Sequence, residues 1–193
     1  MADEAGQIVN EELDAEREAR RRIALAQIRQ YSDPVLRMQA REVESFDDDL
    51  SRLVERMTYL VGEANGVGLA ANQVGVVRRV FVFRRGEEEA GEEVVAVVNP
   101  QVVARSEELE TDDEGCLSLP RVLVPVERHV GITLQAADPQ GAELRLELEG
   151  LEARVAQHEL DHLDGVLVLD RTTDEARREA LAVLRPQPVL GLR

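Results

Sequence analysis

His158 and His162 stand four residues apart in the run Gln157-His158-Glu159-Leu160-Asp161-His162-Leu163-Asp164-Gly165. In an α-helix of about 3.6 residues per turn, that spacing puts both imidazoles on one face, where they can hold one metal ion. Glu159 is offset to the side and can take a proton from water instead of binding the metal. Two histidines under-fill a tetrahedral site, and the missing donor is the only cysteine of the chain, Cys116, in Glu114-Gly115-Cys116-Leu117-Ser118. A Cys-His-His set leaves the fourth position open, as a catalytic centre requires. A third segment, Gly66-Val67-Gly68-Leu69-Ala70-Ala71-Asn72-Gln73, is a glycine-rich loop ending in a side-chain amide. Any fold this chain adopts has to bring such distant segments to one point. The bland alternatives are packed core histidines, a small buried cysteine and simple turn glycines. The ligand spacing beside a glutamate outweighs the first, and the Glu-Gly-Cys-Leu-Ser setting outweighs the second.

Around this motif the helix is expected over residues 151–163, stopped by Gly165. Leu151, Val155, His158 and His162, at spacings of 4, 3 and 4, form its inward stripe. Asp47, Asp48 and Asp49 cap a second helix carrying Leu50, Leu53, Val54, Met57, Leu60 and Val61. Strands are expected at 77–84 and 94–98, joined by a hairpin-like turn over 86–91, and at 101–106, 122–126, 130–136 and 143–149. A last short helix covers 174–184. The fold class is α+β, with short, mostly antiparallel strands around a central helix that carries the metal motif.

A chain of 193 residues suits one domain with a real core. We place that catalytic domain at 27–185, after a charged extension over 1–26 that is helical or partly disordered and has no catalytic role. A tail follows at 186–193. A formal net charge of −16 repels phosphate backbones, which argues against general nucleic-acid binding. A single cysteine allows no internal disulfide, as suits a reducing compartment. No apolar run reaches membrane-spanning length, and the acid-rich start is unlike a signal or transit peptide. A cytoplasmic protein of bacterial type, with no membrane partner, is expected.

Taken together, the Gly-x-Gly-Leu-Ala-Ala-x-Gln, Glu-Gly-Cys-Leu-Ser and Gln-His-Glu-x-Asp-His-Leu-x-Gly segments closely resemble those of the peptide deformylases, over roughly residues 25 to 175. The resemblance implies a hydrolase that removes the formyl group from N-formylmethionine of nascent polypeptides. It implies iron(II) as the physiological metal on Cys116, His158 and His162, replaced by nickel, cobalt or zinc on purification. Glu159 would be the acid–base. The Gln73 side chain and the Leu117 backbone N–H would donate to the developing oxyanion. Val67, Gly68 and Gly115 match positions that pair with an extended substrate, and Val67, Leu151, Val155 and the His158 ring would line the methionine pocket. Glu114 and Arg128 match an ion pair that braces the cysteine segment, and Asp161 is expected to orient a neighbouring group. Asp112 stands where relatives can present an apolar residue to the pocket.

Two other readings compete. A metalloprotease with the same helix draws a third ligand from downstream, yet no histidine follows His162. A non-enzymatic metal-binding or ribosome-docking relative would need neither Glu159 nor Gln73. Docking near the ribosomal exit tunnel through Arg171, Arg177, Arg178, Arg185 and Arg193 is compatible with catalysis, although an exposed helix with ordinary charges explains those residues more simply.

Overall fold

The run Val80-Phe81-Val82-Phe83 is buried throughout, because side chains alternate across a strand and helices cover both of its faces. The computed structural model describes residues 2–86 and 93–184, with the side chains of 14–86 and 93–184. In it the run lies in β2 (Val80–Arg85). Val80 and Val82 pack with Leu50, Leu53, Met57, Leu60 and Val61 of α2 (Asp48–Glu63). Phe81 and Phe83 pack on the other side with Ala153, Val155, Ala156, Leu160 and Leu163 of α3 (Gly150–Leu163).

Five strands form one antiparallel sheet in the order β1-β2-β3-β6-β7, with β1 at Gly68–Ala70, β3 at Glu93–Arg105, β6 at Gly131–Ala137 and β7 at Glu143–Glu149. A separate two-stranded ribbon pairs β4 (Leu109–Cys116) with β5 (Leu119–His129). Val122, Val124 and Val126 alternate along β5 and meet Val168 and Leu169 of α4 (Val168–Arg171) and Ala180 of α5 (Asp174–Leu184). The central helix α3 touches both the large sheet and β5, so it joins the two layers. That is the expected α+β arrangement, with the motif-bearing helix at its centre.

The α2 helix starts where Asp47 accepts a hydrogen bond from the Leu50 N–H at 3.0 Å, a side-chain cap that satisfies an otherwise orphaned donor. The strands expected at 94–98 and 101–106 are a single strand. Asn99, at φ 52°, and Pro100 read as a break, but β3 passes through them with two register shifts against β6. The acidic strand β4 was not expected, because its exposed face carries charge instead of β-branched residues. Its backbone is satisfied by pairing with β5, and charge on so short a ribbon discourages further strand addition.

The first helix, α1 (Ala2–Leu25), ends against the core. Ala24 is buried, Leu25 packs on the α2 cluster, and Arg21 Nε donates to the Ala64 carbonyl at 3.4 Å. Most of the turn expected at 86–91, residues 87–91, and the tail at 186–193 lie outside the described residues. Among the described residues, no helix is long and apolar enough to cross a membrane.

Candidate metal centre

On α3 the His158 and His162 rings lie with centroids 5.0 Å apart. Cys116 closes β4 where the ladder slips: Gly115 pairs with Leu123, but Cys116 pairs with Leu119. That irregularity turns the thiol toward α3, leaving Sγ 3.2 Å from His162 Nε2. One donor atom from each of Cys116, His158 and His162 falls within 4.8 Å of the others, which defines a compact three-donor cluster.

The glycine-rich loop supports the thiol from the other side. Gln73 is buried, and its Oε1 accepts from the Ala70 N–H at 2.8 Å. That bond fixes the amide, so Nε2 points to the Ser118 hydroxyl at 3.1 Å and to Cys116 Sγ at 3.5 Å. The Ser118 N–H also donates to the sulfur at 3.4 Å. The donor set fits a divalent metal. A thiolate and two imidazoles suit zinc, iron, nickel or cobalt, and the Glu114 carboxylate at 3.0 Å from His158 Nδ1 leaves Nε2 of that ring for the ion. Two further buried polar atoms, His162 Nδ1 and Glu159 Oε2, have no hydrogen-bond partner within the protein.

Behind the donors lies a buried ionic network. Arg128 donates to both Glu114 oxygens at 2.9 Å and to Asp161 Oδ2 at 2.6 Å. Arg154 donates to Glu114 Oε1 at 3.0 Å and to the Val126 and Glu110 carbonyls. From the surface, the half-exposed Arg171 adds two further hydrogen bonds to Asp161. Asp161 therefore reaches His158 only through Arg128 and Glu114. Burial alone would raise the Glu114 carboxyl, but hydrogen bonds from Arg128 and His158 outweigh it and hold it at about 2. Burial would lower His158, yet bonding to Cys116 and Glu114 carries it well above its usual value. Burial leaves His162 well below the ordinary value and pushes Glu159 up to about 7.

A cleft of about 840 Å³ opens onto this cluster and is lined by Val67, Gly68, Gln73, Gly115, Cys116, Leu117, Leu151, Val155, His158 and Glu159, among others. Gly68 is indispensable to its shape. A Cβ there would come within 2.4 Å of Glu159 Oε1 and 2.8 Å of Val155 Cγ1. Leu151 does not face inward as the stripe suggested; it is 66% exposed at the cleft, two residues before the buried part of α3 begins at Ala153. Asp112 is exposed and does not line the cleft, whereas Asp113 does. Arg154 and Ser118 were not singled out from the sequence, and Arg171, read there only as a docking or surface cation, is bonded to Asp161. Arg154 had one detectable signal, a long cation four residues before His158 on a helix otherwise expected to be buried.

The polypeptide deformylase family model matches residues 25–178. The peptide deformylase of Natranaerobius thermophilus is 43% identical over 157 residues, covering 81% of this chain and 98% of that protein. Peptide deformylase 1 of Corynebacterium glutamicum is 44% identical over 163 residues, covering 84% of this chain and 96% of its own length. Among solved structures, Arabidopsis thaliana peptide deformylase 1B in complex with an inhibitor superposes with a TM-score of 0.77 at 37% identity, covering 82% of this chain and 89% of the other. The Synechococcus elongatus enzyme in complex with actinonin gives 0.76 at 36% identity, covering 81% and 86%.

Proposed function

The chain belongs to the polypeptide deformylase family, and on that premise we propose how its own residues hydrolyse the formamide of N-formylmethionyl nascent polypeptides to formate and a free amine. The observation that carries the reading is the cluster of Cys116, His158 and His162 donors beside the buried Glu159 carboxyl, at the floor of an open cleft.

Those three residues would hold one divalent metal ion, which when bound acts as a Lewis acid and makes water nucleophilic near neutral pH. We assign iron(II) in the cell, as the family resemblance implies, with zinc, nickel or cobalt accepted by the same donors in purified protein. Glu159 takes a proton from the attacking water as a C–O bond forms at the formyl carbon and the carbonyl electrons move onto oxygen. The Gln73 Nε2–H and the Leu117 backbone N–H donate to that oxygen. Glu159 then returns the proton to the amide nitrogen, the oxygen's electron pair re-forms the C=O bond as the C–N bond breaks, the amine leaves, and the formic acid loses a proton to solvent as formate.

The substrate backbone would lie along β1, which is an edge of the five-stranded sheet. Val67, Gly68 and Gly115 would receive it as an added strand. Val67, half exposed, together with Leu151, Val155 and the His158 ring would contact the methionine side chain. A substrate met as it emerges from translation places the reaction in the cytoplasm. The metalloprotease reading is not favoured, because the third donor here is the upstream Cys116.

The test is formate release from formyl-Met-Ala-amide by protein loaded anaerobically with iron(II), and separately with zinc, nickel or cobalt. Turnover that is abolished by chelation and restored by metal is expected. A folded, fully metallated protein that releases no formate with any of the four ions would contradict the assignment.

A further inference from the structure

All of the helix α1 except its last residue, Leu25, precedes the region matched by the family model, yet α1 reaches the active-site cleft. Arg21 and Leu25 both line it. They stand four residues apart, so one face of the helix presents both. This face is held in place. Ala24 is buried beside it, Leu25 packs on the α2 cluster, and Arg21 Nε bonds to the Ala64 carbonyl. Ala64 immediately precedes Asn65, Gly66 and Val67, which line the cleft and lead into edge strand β1.

The charges around the cleft give this placement a chemical meaning. Of its ionic lining residues, Glu114 and Arg154 are bonded to each other, and Glu159 is committed beside the metal ligands. The whole lining holds three cations against three anions, but away from the catalytic cluster Arg21 and Arg121 outnumber Asp113, in a chain whose formal net charge is −16. Glu18 lies 3.8 Å from Arg21, but both side chains are largely exposed, so that pair neutralises little. A planar guanidinium fixed at the wall of a peptide-binding cleft recognises carboxylates by paired hydrogen bonds.

We propose that α1 is a specificity element of the cleft, in which Arg21 selects formyl peptides carrying acidic side chains downstream of the first two residues. This rests on the deformylase reading. A peptide added along β1 and continuing past Gly66 and Asn65 is carried toward Arg21.

The experiment compares kcat/KM for formyl-Met-Ala-Xaa-Xaa-amide, with Glu-Glu, Gln-Gln or Lys-Lys at the variable positions, at low ionic strength. The C-terminal amide removes the competing terminal carboxylate. The parent is expected to favour Glu-Glu over Gln-Gln by about two- to fivefold, the range of an exposed ion pair, with Lys-Lys poorest. In Arg21→Gln the Glu-Glu to Gln-Gln ratio should fall to about one, and in Arg21→Glu the order should reverse in favour of Lys-Lys. Reversal separates charge recognition from mere undocking of α1, which would level the three substrates. A parent without preference, or variants that keep the parental ratios or only level them in Arg21→Glu, would overturn the inference. A metallated parent that releases formate from none of these peptides, nor from formyl-Met-Ala-amide, would overturn the deformylase reading and the inference with it.

Discussion

Gly68 and Glu114 set the geometry of the site from opposite sides, one by lacking a side chain and the other by the partners of its carboxylate. A methyl group at residue 68 would meet Glu159 Oε1 at 2.4 Å and Val155 at 2.8 Å. Gly68→Ala should therefore displace the proposed acid–base while leaving the three donors in place. We expect a loss of about 100-fold in kcat/KM, the scale reached when catalytic groups shift by about 1 Å, with metal content at one ion per chain. Activity within threefold of the parent would show that Glu159 tolerates displacement. Glu114→Gln removes the charge shared by Arg128, Arg154 and His158. Metal affinity should fall by about 10–100-fold, as for other groups that orient metal-bound imidazoles, measurable by competition with a chromogenic chelator. Unchanged affinity would reduce Glu114 to a packing role. The three clustered donors were legible in the sequence for different reasons: helical spacing pairs His158 with His162, while Cys116 stood out as the only cysteine and by the segment around it. Arg154 and Ser118 were not, since their partners Glu114 and Gln73 are distant in the chain and meet them only after folding.

At the scale of elements, the C-terminal end of α3 is tied to the start of the domain through α4. Arg37, closing the 3-10 turn Pro34–Arg37, forms a forked ion pair with Asp170, which also accepts from the Leu167 N–H at 2.8 Å. Partial burial raises the Asp170 carboxyl, but the bonds from Arg37 and Leu167 dominate and hold it below its usual 3.8. A carboxyl depressed in the folded state adds stability that is present above the unfolded value and lost as pH falls through the folded one. Asp170→Asn should thus melt earlier than the parent at neutral pH. The two melting curves should converge as pH drops below 3.8. A gap that is independent of pH would mean that the pair contributes nothing through charge. Elements with clean periodicity were the readable ones: β7 and α5 fall at the expected residues, 143–149 and 174–184. The acidic β4 was hidden, because its identity as a strand comes from pairing with β5 and not from its own side chains.

For the whole molecule, one ion would join the ribbon, through Cys116 at the end of β4, to the central helix, through His158 and His162. A ligand that binds only the folded chain raises stability by mass action, by about 2.7 kcal/mol at a free concentration 100 times its Kd. For a chain of this size that is roughly 5–10 °C in Tm. Metal should produce such a rise in the parent and almost none in Cys116→Ala, where one of three donors is gone. An equal rise in both would place the ion elsewhere. The α+β plan of short strands around one central helix followed from strand and helix patterning, but the docking of α1 on the cleft did not, because its charged sequence reads as solvated until Ala24 and Leu25 are seen against the core. The most direct test of the account is Glu159→Gln, loaded with iron(II) beside the parent and assayed for formate release from formyl-Met-Ala-amide. Gln keeps the shape and removes the proton acceptor. The variant should bind one metal ion per chain and lose at least about 100-fold in kcat, within the range that general acid–base catalysis contributes. A fully metallated variant with near-parental turnover would contradict the assignment of Glu159 as the group that moves the proton.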